Sequence, residues 1–249
     1  MFLEYITTIT MTRPIIISIE GNIGSGKSTI LDKLEKEIGL GSQVAFLREP
    51  VDIWEKIKDG KTGENILQKF YADQEKYAFP FQVMAYASRL SMIRSVFENS
   101  GVNVIVCERS LDADKHIFAK MLYDEGKIDD VCYQIYNHFY QEYAADFKLD
   151  GVVYIDADAE VCFDRIGKRA RTGESGIAIE YLQKCKSYHH EWLCNSNTGT
   201  PVLNINANVD VAYNKKDPHD IGNEWIARIK EFIDELLNES DDYEEWKRR

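Results

Sequence analysis

With 249 residues, the chain has the length of one large domain able to bury about three quarters of its unfolded surface. Its composition, 44% hydrophobic and 29% charged, excludes collagen-like, disordered and membrane-embedded classes. A formal charge of -12 argues against a long polynucleotide partner, which needs clustered cations that release counterions, so any anionic ligand has to be met by a local positive site.

Residues 1–13 read as a short extension: Glu4 stands early and no cationic segment precedes an apolar run, so the pattern of a secretory signal is not met. The β-branched run Ile15 to Ile19 predicts a buried strand. It leads into Gly21-Asn22-Ile23-Gly24-Ser25-Gly26-Lys27-Ser28-Thr29, a complete G-x-x-x-x-G-K-S loop followed by the helical pattern Ser28 to Ile38. In that setting the glycines let successive backbone N–H groups converge on phosphate oxygens, and the helix amino terminus adds partial positive charge. Lys27 bridges the phosphates and the Ser28 hydroxyl takes a place on Mg²⁺. This is the required positive site, and it suits a nucleoside triphosphate. A phosphate loop alone does not name the acceptor.

A weaker strand, Gln43 to Leu47, ends in Arg48-Glu49-Pro50. A carboxylate there can take the proton of an alcohol as its oxygen attacks phosphorus, although Glu49 also reads as a helix-start acid. The helical pattern Phe79 to Phe97 follows, then the strand Val102 to Val106 and Cys107-Glu108-Arg109-Ser110. Glu108 can hold Mg²⁺ directly or through water and Arg109 can neutralise charge on the reacting oxygens; a surface ion pair is the plainer alternative. A helix over Ile128 to Tyr143, a strand over Val152 to Ile155 and a helix over Ala159 to Ile166 lead to a cationic segment, Arg165 to Glu174. A helix over Ile179 to Leu193, a weaker strand over Val202 to Ile205 and a helix over Ile221 to Leu237 complete the chain, with the acidic stretch Asp234 to Glu245 as a solvated face. Strands alternating with helices predict an α/β fold: a doubly wound, five-stranded parallel sheet flanked by helices, with ligands at the carboxyl ends of the strands. One domain is expected over residues 14–240, between the extension at 1–13 and a charged tail at 241–249.

Together, G-N-I-G-S-G-K-S-T, E-P-V-x-x-W, F-Q with an Arg seven residues after the Gln, E-R-S, and an arginine-rich lid followed by G-I-x-x-E-Y-L resemble the deoxynucleoside kinase family that includes the deoxycytidine, deoxyguanosine and deoxyadenosine kinases. The resemblance covers Ile15 to Leu193. It implies that Glu49 is the general base, that Arg109 lies near the 5′-oxygen, and that Tyr71 and Glu174 hold the sugar 3′-hydroxyl and leave little room for a 2′-hydroxyl. It also implies a base pocket of Gln82, Arg89 and Asp114 beside Ala85, walled by Trp54, Phe70, Phe81 and Phe118, in which the Arg and Asp favour cytosine or purines over thymine. Arg165, Arg169 and Arg171 match the lid arginines that clamp the donor, ATP or another nucleoside triphosphate.

Two other readings compete. A thymidylate-type monophosphate kinase shares loop, lid and sheet but needs extra arginines for an anionic acceptor and no base. A nucleic-acid-stimulated ATPase is opposed by the acidic charge. The five cysteines, Cys107, Cys132, Cys162, Cys185 and Cys194, are odd in number and never spaced as C-x-x-C, which fits reduced thiols in the cytoplasm and no zinc site. No run approaches ~18 apolar residues, so no membrane span is expected. Homodimer assembly is implied by the resemblance, through the helices Phe79 to Phe97 and Ile128 to Tyr143.

Overall fold

The computed structural model describes residues 13–38, 43–98, 101–171, 173–174, 176–195, 199–217 and 219–248, the side chains after 238 excepted. The amino-terminal extension before Arg13 and the side chains of the acidic tail therefore lie outside the described residues. Five strands, β1 (Ile15–Gly21), β2 (Val44–Leu47), β3 (Val104–Glu108), β4 (Gly151–Asp156) and β5 (Val202–Asn206), form one sheet. Their order is β2-β3-β1-β4-β5 and every pairing is parallel. Parallel strands covered on both faces need continuous apolar runs, and β1, β3 and most of β4 are buried along their length.

The helices are α1 (Lys27–Ile38), α2 (Val51–Lys56), α3 (Ile66–Ala72), α4 (Gln74–Phe97), α5 (Leu111–Ala113), α6 (Lys120–Asp124), α7 (Asp130–Tyr143), α8 (Ala159–Arg169), α9 (Ile179–His190) and α10 (Gly222–Arg248), with π-helical turns at Asp114–Ala119 and Glu191–Asn195. Successive side chains of β1 point to opposite faces. Ile15, Ile17 and Ile19 join Leu31 and Leu34 of α1, Cys162 of α8 and Ile229 and Ile233 of α10 in the larger core. Ile16 packs on the other face with Tyr86 and Ile93 of α4 and Tyr136 of α7. On that second face the residues after Ile16 turn polar: Ser18 and Glu20 are fully buried. Each buried Ile or Leu contributes about 1.5–3 kcal/mol.

Boundaries differ from the sequence reading where pairing decides them. The third strand is Val104–Glu108 because it is in register with Ile15–Ile19 of β1, which brings Glu108 onto the last rung. Helix α4 begins at Gln74, capped by the Asp73 side chain accepting from the Lys76 N–H at 3.2 Å, so Pro80 falls inside it. A proline there removes the N–H that the Lys76 carbonyl would accept from. Every strand's carboxyl end opens on the same edge of the sheet, where the chemistry-bearing segments collect.

Candidate active site

A cavity of about 570 Å³ opens at this edge, lined by the phosphate loop, the segments after β2 and β3, α4 and the arginine segment. Gly21 and Gly24 have φ of 145° and 82°. A Cβ on either would lie 2.5 Å from a backbone oxygen, of Ile155 and Cys162 respectively, so only glycine fits. Lys27 is buried, and its Nζ donates to the carbonyls of Asn22 at 2.7 Å and Gly21 at 3.1 Å. Burial, helped by the charge of Arg109, brings its ammonium down to about 8 against the pull of Glu108 and Glu49. Asn22 ties the loop to α9, its Nδ2 donating to the Leu182 carbonyl at 2.8 Å. The Ser28 hydroxyl donates to Glu108 Oε1 at 2.7 Å, so the two predicted metal-binding oxygens, one from α1 and one from β3, sit together.

Glu49 lies between two arginines. Its Oε1 accepts from Arg109 Nε at 3.0 Å and from Arg89 Nη2 at 3.4 Å. Burial pushes this carboxyl up, but Arg109, Arg89 and Lys27 outweigh it and hold it below the usual range. Arg109 adopts φ 64°, a left-handed conformation that costs a non-glycine residue about 1–2 kcal/mol. Several contacts hold it there: its N–H donates to the Ile19 carbonyl at 3.1 Å, Nη1 donates to the Gly21 carbonyl at 3.1 Å, and the guanidinium stands 4.7 Å from the Phe118 ring.

Gln82 and Arg89, two turns apart on α4, both face the cavity. Arg89 Nε donates to Asp114 Oδ2 at 2.9 Å in a fully buried pair, and Nη1 donates to the Glu108 carbonyl at 2.8 Å. The π-helical turn after α5 carries Asp114 and Phe118 to this position. Gln82 Oε1 is buried and has no hydrogen-bond partner among the described residues. The structure brings three of the aromatic residues together: Phe70 stacks on Phe81 at 4.7 Å, Trp54 meets Phe81 edge-on at 5.5 Å, and the Trp54 indole N–H donates to Ser88 Oγ at 3.0 Å. Ala85 lines the same space with a small side chain.

The predicted lid residues separate into two groups. Arg169 Nη2 reaches Glu174 Oε2 at 2.5 Å and Arg171 Nη1 reaches Oε1 at 3.3 Å, with Tyr71 nearby, its phenol raised by burial and by the Glu174 charge. Arg165 is directed elsewhere: it donates to the Ser25, Ala207 and Val209 carbonyls at 3.3, 3.0 and 2.9 Å and to the Asp210 carboxylate at 3.0 Å. All the predicted site residues line the cavity except Gly21 and Asn22, which lie beneath it as acceptors for Lys27. Absent from the predicted site are Tyr181, Trp225, Val209, Asp210, Val211 and Tyr213, which also line it. Tyr181 was discoverable within G-I-x-x-E-Y-L, whereas the loop after β5 carries no spacing that marks it.

Residues 17–234 match the family described as deoxynucleoside kinase. The chain is 34% identical over 225 residues to the "Probable deoxycytidine kinase" of fowlpox virus, covering 88% of each chain. It is 31% identical over 247 residues to human deoxycytidine kinase, covering 88% of this chain and 91% of the relative. It is 30% identical over 242 residues to the mitochondrial deoxyguanosine kinase of Xenopus laevis, covering 87% and 89%. With an all-parallel five-stranded sheet, a phosphate loop on its central strand and a carboxylate between two arginines facing that loop, the chain belongs to the deoxynucleoside kinase family.

Proposed function

We propose that this enzyme transfers the γ-phosphoryl group of ATP or another nucleoside triphosphate to the 5′-hydroxyl of deoxycytidine or a purine deoxynucleoside in preference to thymidine, with Glu49 as base. The observation that carries the base preference is the buried Arg89–Asp114 pair beside an open Gln82 acceptor. Amide, guanidinium and carboxylate together offer both donors and acceptors to a base edge carrying an amino group, and their buried charges need such partners. The names of the relatives, deoxycytidine and deoxyguanosine kinases, agree with it.

Glu49 and Arg109 share the alcohol's side of the cavity. The carboxylate accepts the hydroxyl proton, while Arg109 and Lys27 offset charge on the transferring group. The adjacent Ser28 and Glu108 oxygens suit Mg²⁺, a hard cation that takes one or two protein oxygens and completes its shell with phosphates and water. Held by Ser28 and Glu108, the metal would supply neutralisation of the donor's phosphate charge. Tyr71 and Glu174 are assigned to the 3′-hydroxyl, and Arg169 and Arg171 to the donor phosphates.

A second copy of the chain is the partner we assign to α7, where Val131, Ile135, Phe139 and Tyr143 form an exposed stripe at helical spacing. Free thiols at all five cysteines support a cytoplasmic setting. Among the described residues no helix is long and apolar enough to cross a membrane. The test is a turnover panel of the four deoxynucleosides with ATP and Mg²⁺, run on the enzyme and on the Arg89→Met/Asp114→Ala double variant. Deoxycytidine or a purine should lead, and thymidine should gain in relative kcat/KM in the variant; a thymidine-preferring enzyme, or no relative gain, overturns the pocket assignment.

A further inference from the structure

Glu108 and Arg109 of the E-R-S segment have roles in the reading above, and Ser110 has none. Its hydroxyl donates to Glu20 Oε1 at 2.6 Å and accepts the Ala113 N–H at 3.0 Å, capping α5. Glu20 is the penultimate residue of β1, fully buried, next to the first glycine of the phosphate loop. A carboxyl group in that position is costly, and an apolar side chain would continue the packing of Ile16 on the same face. The link it makes brackets the left-handed turn at Arg109: Ile19 accepts from the Arg109 N–H on one side and Glu20 accepts from Ser110 on the other. The capped helix then leads directly into Asp114.

We propose that Glu20, acting through Ser110, is a positioning residue of phosphoryl transfer that holds the Arg109 turn in its left-handed conformation. The inference rests on Arg109 acting at the reacting oxygens. An isolated hydrogen bond of this kind is geometrically modest, but misplacing a catalytic group by an ångström costs on the order of 10²-fold in rate. The same carboxyl has a titration signature. Burial raises it to about 7 against the opposing pull of Ser110, Arg109, Arg89 and Ser18, and its Oε2 has no hydrogen-bond partner among the described residues. The ionisable groups around it are Arg109 and Cys107 from the β3 side and Arg89 from α4. On β4 its register partner is Tyr154, on whose ring His189 of α9 stacks.

The test is steady-state kinetics with deoxycytidine and MgATP across pH, with urea unfolding in parallel. Ser110→Ala and Glu20→Ala should each lower kcat by ~10-fold or more, with a smaller change in nucleoside KM. Glu20→Gln keeps an acceptor oxygen for Ser110 and should recover most of the loss. The ratio of kcat for Glu20→Gln to that of the unaltered enzyme should bend near pH 7, where the carboxyl titrates. In Ser110→Ala the step should move upward, because the hydroxyl's hydrogen bond favours the ionised form. Should Glu20→Ala fail to fold, Ser110→Ala decides alone. Lower stability with unchanged kcat in Ser110→Ala, equal damage from Gln and Ala at position 20, or a flat ratio across neutral pH overturns the proposal. Arg109→Lys is measured alongside: full activity there overturns the Arg109 assignment itself, whereas a dead Arg109→Lys beside a fully active Ser110→Ala overturns only the role of Glu20.

Discussion

Glu49 is kept ionised by its neighbours, at the cost of being a weak base. Two guanidinium groups and the Lys27 ammonium outweigh its burial and hold the carboxyl below its usual range, which favours the ionised form. Phosphoryl transfer with a loose transition state asks little of base strength and much of placement, so the environment is consistent with the role. Glu49→Gln should lower kcat by at least ~10²-fold while calorimetry finds deoxynucleoside binding nearly intact; unchanged turnover removes Glu49 from the role of base. The positions that spacing alone could relate, Gln82 and Arg89, do share one face of α4 and both reach the cavity. Tyr71 and Glu174 lie on separate elements and were joined only by resemblance. Arg165 shows the limit of matching residue to residue: the side chain is where the pattern places it, yet its N–H groups already have protein acceptors.

The long elements were legible because their apolar periodicity has several turns to express itself. The strand from Ile15 and the helices Lys27–Ile38 and Ile179–His190 appear within a few residues of expectation. Helices α2 and α3, of 6 and 7 residues, offer too little repeat for that signal. Helix α3 nonetheless announces itself by another route: Asn65 and Gln68 form a reciprocal capping box at 2.9 Å in each direction. The π-helical turn at Asp114–Ala119 left no trace in the sequence, since an extra residue in one turn alters no motif. Helix α7 leaves Val131, Ile135, Phe139 and Tyr143 exposed in one stripe. Ile135→Glu together with Phe139→Glu should convert a dimer to monomer by light scattering, because a carboxylate at a buried interface position is costly without a partner. A chain already monomeric before substitution removes that assignment.

At the scale of the whole molecule, the acidic balance and the cationic cavity are compatible because the charges that matter are withdrawn from water. The same withdrawal makes the fold sensitive to acid. His189 is fully buried, its Nδ1 2.6 Å from the Cys185 carbonyl, and burial, with the Arg109 charge adding to it, brings the imidazole down to about 3. A depressed folded-state value means that the neutral ring contributes its full stability above the ordinary histidine range and loses it as pH falls toward 3. Relative to His189→Phe, the unaltered protein should lose about 1.4 kcal/mol per pH unit across that window. Urea unfolding of both proteins over the same pH series measures the difference, and a pH-independent gap shows that the ring is protonated without penalty.

The Asn22 amide grips the Leu182 carbonyl at 2.8 Å, and Arg165 fastens α8 to Ser25. The stretch bearing Arg169, Arg171 and Glu174 is thus flanked fore and aft by ties to the glycine-rich loop after β1. Loosening either mooring should therefore register first as a weaker grip on the triphosphate, read by calorimetry with MgATP, while deoxynucleoside affinity stays scarcely disturbed.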